Sequence, residues 1–288
     1  MQFRPECLPC LEGLVELTVS LASAEPELKG RAREAALAVI RREAGPGAIP
    51  ALLATRFHRL IRELTGNPDP FRSRKEAETA LLARLAGRVI PDPPPRDLAA
   101  LLALAVLGNA LDFFRTPEEI SREVLRTPEF AIFHLEAFRE ILEQGTGLVL
   151  YLADNAGEQF FDLCLVQGLR ARGWEVRYVV KGGPVQNDLT REDLEASGLA
   201  PALAPVADTG AETVGLVLSE CSPAFRELYR RARLIVAKGM GHFETLARQP
   251  DPRLFFLLQA KCAPVARALG VPPGSFVFRQ SSRITSTR

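Results

Sequence analysis

The residues with most chemistry in this chain fall in three short clusters in its second half. YLADNAGEQFFDL (151–163) sets Asp154 and Asn155 side by side at the end of an apolar run, with Gly157 and Glu158 opening a helical stretch. KGGPVQND (181–188) follows a second apolar run and supplies Lys181, Gly182, Gly183, Asn187 and Asp188. KGMGHFE (238–244) follows another and supplies Lys238, Gly239, Gly241, His242 and Glu244. Two carboxylates and an amide oxygen are hard ligands suited to Mg²⁺ or Mn²⁺. The first two clusters hold no cysteine or histidine, which argues against zinc there. Lysines beside glycine-rich loops suit phosphate, because glycine lets backbone N–H groups approach an anion. Together these groups are what phosphoryl transfer requires. Taken singly, each cluster also reads as ordinary structure: Asp-Asn as a helix cap, Gly-Gly-Pro as a turn, Lys-Gly as a solvated strand end.

The elements that must position these clusters follow from hydrophobic rhythm. Residues 1–145 carry apolar residues at three-and-four spacing and are expected to form an all-helical region, interrupted by the stiff run PDPPP at 91–95. From 146 to 288 short apolar runs, at 147–154, 175–182, 202–208, 234–239 and 275–279, alternate with helical or loop sequence. That alternation predicts a three-layer α/β/α core around a mostly parallel, Rossmann-like sheet. In such sheets ligands bind beyond the carboxyl ends of the strands, so the three clusters should meet on one rim.

Composition narrows the partners. The 288 residues are 47% apolar and 25% charged with a formal net charge of +1, and no basic stripe or acidic tail stands out. Nucleic acid and membrane surfaces are therefore not expected as partners. MQFRPECLPC lacks an apolar signal region, which gives the cytoplasm as the expected location. Only five of the 36 basic residues are lysines, and three of them, Lys181, Lys238 and Lys261, lie in the second half. Cys7 and Cys10 form a single Cys-x-x-Cys, which is half of a zinc site, a redox pair or two plain thiols. Cys164, Cys221 and Cys262 read as packing residues, and His58 and His134 as ordinary helix residues. In GNALDF, Asn109 and Asp112 share a helix face, and they read either as inter-domain hydrogen bonders or as a roof over the site.

PECLPC (5–10), GNPDPF (66–71) with Lys75, GNALDF (108–113), DNAGE (154–158), KGGPVQND (181–188), AKGMGHFETL (237–246) and QAKC (259–262) occur in an order that resembles the metal-dependent damage-control phosphatases. This family is also known as domain of unknown function 89, and the likeness is to its microbial branch with an N-terminal Cys-x-x-Cys. The resemblance implies that Asp154, Asn155 and Asp188 coordinate a divalent metal: Mn²⁺, Mg²⁺, Co²⁺ or Ni²⁺. It implies that Lys261 and the Gly241–Glu244 loop hold a small phosphorylated metabolite, such as a sugar phosphate or a damaged cofactor intermediate. The family loop commonly has Asn where this chain has His242, which puts substrate preference in question.

On this reading the catalytic candidates are Asp154, Lys261 and Glu158. Lys261, with Lys238, would neutralise charge developing at phosphorus. Glu158 would orient water or accept a proton, or serve only as a first-turn helix acid. Direct attack by Asp154 is the alternative to attack by water. The substrate-binding candidates are Lys181, Lys238, Gly241, His242, Glu244, Asn109 and Asp112. Two other classes compete. A Rossmann-like methyltransferase would want a glycine-rich loop directly after the first strand, which DNAGE resembles poorly. A non-catalytic metal or thiol module would be built on Cys7 and Cys10. Oligomeric state has no sequence signal.

Overall fold

The computed structural model describes residues 1–110, 116–125 and 127–283, so Asp112 lies outside the described residues. The chain opens with four helices, α1 (Cys7–Ala22), α2 (Pro26–Glu43), α3 (Pro50–Thr65) and α4 (Arg72–Val89). Proline occupies the first turn of α2 and of α3, where its missing N–H costs nothing, and Gly66 ends α3 in the left-handed conformation. Then come α5 (Leu98–Leu107), α6 (Pro117–Val124), strand β1 (Phe130–Phe133) and α7 (Leu135–Glu143). Asp97 caps α5 by accepting from the Ala100 N–H, and Thr116 and Glu119 form a capping box on α6.

The second half alternates as its rhythm predicts: β2 (Leu148–Leu152), α8 (Gln159–Arg170), β3 (Glu175–Val180), α9 (Arg191–Ala196), α10 (Ala200–Leu203), β4 (Val206–Asp208), α11 (Pro223–Arg231), β5 (Leu234–Lys238), α12 (Gly239–Leu246), β6 (Leu254–Gln259), α13 (Ala263–Leu269) and β7 (Phe276–Gln280). The seven strands order as β1-β7-β6-β5-β2-β3-β4. All neighbours run parallel except β6 and β7.

Two strands were not among the five apolar runs. LFFLLQ forms β6, buried on both faces, and a short unbroken apolar run has no period that separates strand from helix. FAIF forms β1 on the sheet edge beside β7. The run at 202–208 divides, with its first two residues in α10 and only Val206–Asp208 in the sheet.

The sheet is buried on both sides. Along β2, Val149 and Tyr151 face the layer containing α5, α7 and α8, whereas Leu148, Leu150 and Leu152 face that of α11, α12 and α13. Strand β1 and helix α5 precede residue 146, yet the strand joins the sheet and the helix packs on α8. Helices α1, α2 and α3 form a separate apolar core around Val15, Ala36 and Phe57.

Candidate active site

Register aligns the three clusters. Leu152 pairs with Val179 on one side and Ala237 on the other. Two residues on, Asp154 therefore stands level with Lys181 and with Gly239. The order also reverses here: β3 and β4 extend one way from β2, while β5 and β6 extend the other. That is the switch point at which open α/β sheets bind ligands. Strand β6 adds Lys261 just past its end.

Backbone pairing draws Asp188 to the same place. The Leu189 N–H donates to the Asp154 carbonyl at 2.8 Å, the Ala156 N–H donates to the Asn187 carbonyl at 2.9 Å, and Asn155 and Asp188 form a β-bridge. Asp154, Asn155 and Asp188 thus gather from two loops on the floor of an open cleft of about 150 Å³. Gly239 makes room for them. It has φ +76°, and a Cβ there would lie 1.8 Å from Asp154 Oδ2.

The donor set suits a hard divalent cation. Asn155 uses its amide N–H₂ on Asp154 Oδ2 (3.0 Å) and Glu158 Oε1 (2.7 Å). Its carbonyl oxygen is the part of the amide that can act as a ligand. Asp188 Oδ2 is buried and, among the described residues, has an ion pair with Lys181 Nζ at 3.3 Å and no other partner. Burial, with the nearby charges of Glu158 and Asp188, lifts the Asp154 carboxyl well above its usual range, and burial likewise raises Asp188. A cation among these oxygens would offset that dehydration and repulsion. Among the described residues no three His, Cys, Asp or Glu side chains form a metal group; this set reaches three only with the Asn155 amide.

Behind the floor lies a fully buried ionic layer. Lys238 Nζ donates to Glu158 Oε2 (2.7 Å), Asp162 Oδ1 (2.6 Å) and the Ala105 carbonyl (2.9 Å). Tyr151 and Tyr178 donate their hydroxyls to Asp162 at 2.7 and 2.8 Å. Burial opposes the Lys238 charge, but Asp162 and Glu158 outweigh it and raise its pKa. Glu158, despite burial, is held below its usual value by Lys238 and Lys261. Asn109 connects the layers: its amide donates to Asp154 Oδ2 and Glu158 Oε1, both at 3.0 Å, and its oxygen accepts from the Gln259 N–H.

The cleft surface holds only part of the set read from the sequence. Asp154, Asn155, Asp188, Gly241, Glu244 and Lys261 line it, with Cys10, Gln186 and Asn187. Lys238 does not reach it, because it is 0% exposed and its three N–H bonds are all used. Lys181 is turned to the Gly215 carbonyl at 2.5 Å and to Asp188. His242 is buried with Nδ1 donating to the Lys238 carbonyl at 2.6 Å, and burial with the Lys181 charge keeps the ring neutral. Glu158 and Asn109 lie under the floor, Glu158 bonded to the Asn155 amide and Asn109 to Asp154, and neither lines the cleft. Those five expected contact residues support the wall instead. Cys7 is buried, and neither it nor Cys10 is in a disulfide.

The helical half contributes residues that spacing did not single out. His58 on α3 accepts the Gln186 N–H at Nε2, 3.2 Å away, and Glu78 on α4 accepts from the Asn187 amide at 2.9 Å. Burial drops the His58 pKa to about 3, so its ring stays neutral and Nε2 remains an acceptor. Thr55 on α3 accepts from Val214 N–H, and Glu244 Oε2 accepts from the Ala51 N–H at the start of α3. Asp162 alone left a trace, standing four residues after Glu158 and so on the same helix face.

Residues 3–277 match the Damage-control phosphatase ARMT1-like domain. A damage-control phosphatase of Pyrococcus horikoshii is 34% identical over 282 residues, covering 96% of this chain and 97% of that one. Another from Archaeoglobus fulgidus is 30% identical over 286 residues, covering 97% and 99%. The crystal structure of a DUF89 family protein from P. horikoshii superposes with a TM-score of 0.86 at 33% identity, covering 98% of this chain and 99% of that one. The chain belongs to the damage-control phosphatase family, and it is a phosphatase.

Proposed function

We propose that this cleft hydrolyses phosphate monoesters of small metabolites, sugar phosphates or damaged phosphorylated intermediates, with the help of a divalent cation. The observation that carries the reading is the convergence of Asp154, Asn155 and Asp188 beside Lys261 on one cleft floor. Asp154, Asn155 and Asp188 would hold Mn²⁺, Mg²⁺, Co²⁺ or Ni²⁺. When bound, the cation supplies Lewis-acid stabilisation of phosphoryl charge.

The protein's own groups do the rest. Lys261 lines the same floor, where its charge partly offsets the burial that raises Asp154 and joins Lys238 in lowering Glu158, and there it would balance phosphoryl charge. Asn109 and Asn155 hold the Asp154 carboxylate in place through Oδ2, and Lys238 holds Glu158 behind it. Anchoring of this kind fixes ligand orientation before substrate arrives. Gly241 and Glu244 border the side of the cleft nearest α3, where they would meet the organic part of the substrate.

A matrix of phosphorylated metabolites assayed with each of the four cations, and after chelation, tests the reading. Release of orthophosphate that rises with one of these cations and falls to background with chelator is expected. Hydrolysis indifferent to chelation would refute the role given to Asp154, Asn155 and Asp188. Among the described residues no helix is long and apolar enough to cross a membrane.

A further inference from the structure

Gln186 carries two unfavourable features that its surroundings do not compensate. It has φ +50°, the sole non-glycine residue at positive φ among the described residues. A side chain crowds its own backbone in that conformation, and glycine would adopt it freely. The loop already uses glycine at 182 and 183, yet position 186 keeps a long side chain. That side chain is 4% exposed, lines the cleft beside Asp188, and its amide Nε2 finds no hydrogen-bond partner among the described residues.

The strained backbone is held from outside the loop. His58 accepts the Gln186 N–H, and the next residue, Asn187, is anchored to Glu78. Both clamps come from the helical half, from α3 and α4. The unsatisfied end of the amide they position is Nε2, a donor that can serve an anionic oxygen but not a cation. Strain combined with an unsatisfied buried donor marks a group organised for a ligand.

We propose that Gln186 is a substrate-binding residue whose Nε2–H donates to a phosphoryl oxygen of the bound ester, and that His58 is its positioning residue. This rests on the phosphatase cleft proposed above. The donor adds a directed hydrogen bond beside the charge of Lys261, on the Asp188 side of the floor.

The discriminating variant is Gln186→Gly, which keeps the left-handed backbone available and removes only the side chain. The probes are inorganic orthophosphate, measured as an inhibitor and by direct calorimetry, and p-nitrophenyl phosphate as substrate, with Mn²⁺ binding followed separately by electron paramagnetic resonance. The expected result is orthophosphate binding and KM weakened about 10-fold or more, as loss of a hydrogen bond to a charged group implies. Mn²⁺ affinity should stay as in the parent, and the melting temperature should be equal or higher. Unchanged orthophosphate affinity in Gln186→Gly would overturn the proposal, as would a fall in melting temperature as the only effect. Gln186-dependent orthophosphate binding in a parent that hydrolyses no ester would retain the residue assignment and remove the activity. His58→Leu should reproduce the weaker orthophosphate binding and His58→Gln, which restores an acceptor, should recover part of it; full affinity in His58→Leu would overturn the positioning role.

Discussion

At the scale of single residues, the site is a set of side-chain oxygens held by groups that have no other freedom. Gly239 shows how narrow the tolerance is, since any Cβ there would occupy the space of the Asp154 carboxylate. Gly239→Ala adds the strain of positive φ, roughly 1–2 kcal/mol, to that collision. We expect a folded protein with strongly reduced Mn²⁺ affinity, which calorimetric titration would show. Lys238 presents the opposite case, a charge placed for support. Lys238→Met leaves Glu158 and Asp162 buried without their cation, and breaking a buried pair typically costs about 3–5 kcal/mol. Urea denaturation should show a loss of that order; a loss under about 1 kcal/mol would mean that the ionic layer is not supporting the fold.

Glu244 allows a pH prediction at the same scale. Burial raises its carboxyl to about 7, against the lowering influence of the Ala51 N–H. A carboxyl whose folded pKa lies above its unfolded value of 4.5 stabilises the protein fully below pH 4.5, and the contribution is lost as pH rises through 7. The stability difference between the parent and Glu244→Gln should therefore shift against the parent between about pH 4.5 and 7, at most by about 1.4 kcal/mol per pH unit. The Met1 amino group, which burial lowers to about 6 against the opposing charge of Glu244, titrates in the same window and interacts with Glu244, so the comparison is made on N-terminally acetylated parent and variant. A flat difference would place the Glu244 titration outside this window.

At the scale of elements, the sequence disclosed the strand-end clusters because β2, β3 and β5 are each followed within two residues by a chemically marked one, Asp154, Lys181 or Gly239. It concealed β6, because LFFLLQ is apolar throughout, and with it the reason Lys261 stands at the rim. It also concealed the depth of each side chain. Lys181 and Lys238 read as contact residues because lysine beside glycine suits an anion, and His242 because its loop resembles the family's substrate loop. Depth depends on which acceptors other elements bring, and Ala105, Gly215 and Asp162 come from elsewhere in the chain. The loop from 184 to 188 is the clearest example. Its shape is set by His58 and Glu78, more than 100 residues earlier. Glu78→Ala should leave Asn187 without its acceptor, a cost of about 1–3 kcal/mol for the orphaned buried donor. It should also weaken Mn²⁺ binding about 10- to 100-fold, the usual range for a group supporting a ligand. Calorimetry that finds parental Mn²⁺ affinity would separate this clamp from the metal floor.

At the scale of the whole molecule, the helical half and the sheet are joined through the site. Helix α5 leads to Asn109, which touches Asp154, Glu158 and the end of β6, while α3 and α4 hold the loop that carries Asp188. The cleft floor therefore belongs to the sheet, and its alignment depends on helices that precede the sheet's central strands in the chain. The central claim is that Asp154, Asn155 and Asp188 hold the divalent cation that makes this cleft a phosphatase. It is tested most directly by Mn²⁺-stimulated hydrolysis of p-nitrophenyl phosphate in the parent and in Asp188→Ala, with circular dichroism and Mn²⁺ titration on the same samples. Loss of a supporting group already costs 10- to 100-fold, so removal of a ligand should lower stimulated activity by on the order of 100-fold or more in a folded protein that binds Mn²⁺ poorly. Stimulated activity and Mn²⁺ affinity equal to the parent's would contradict the account.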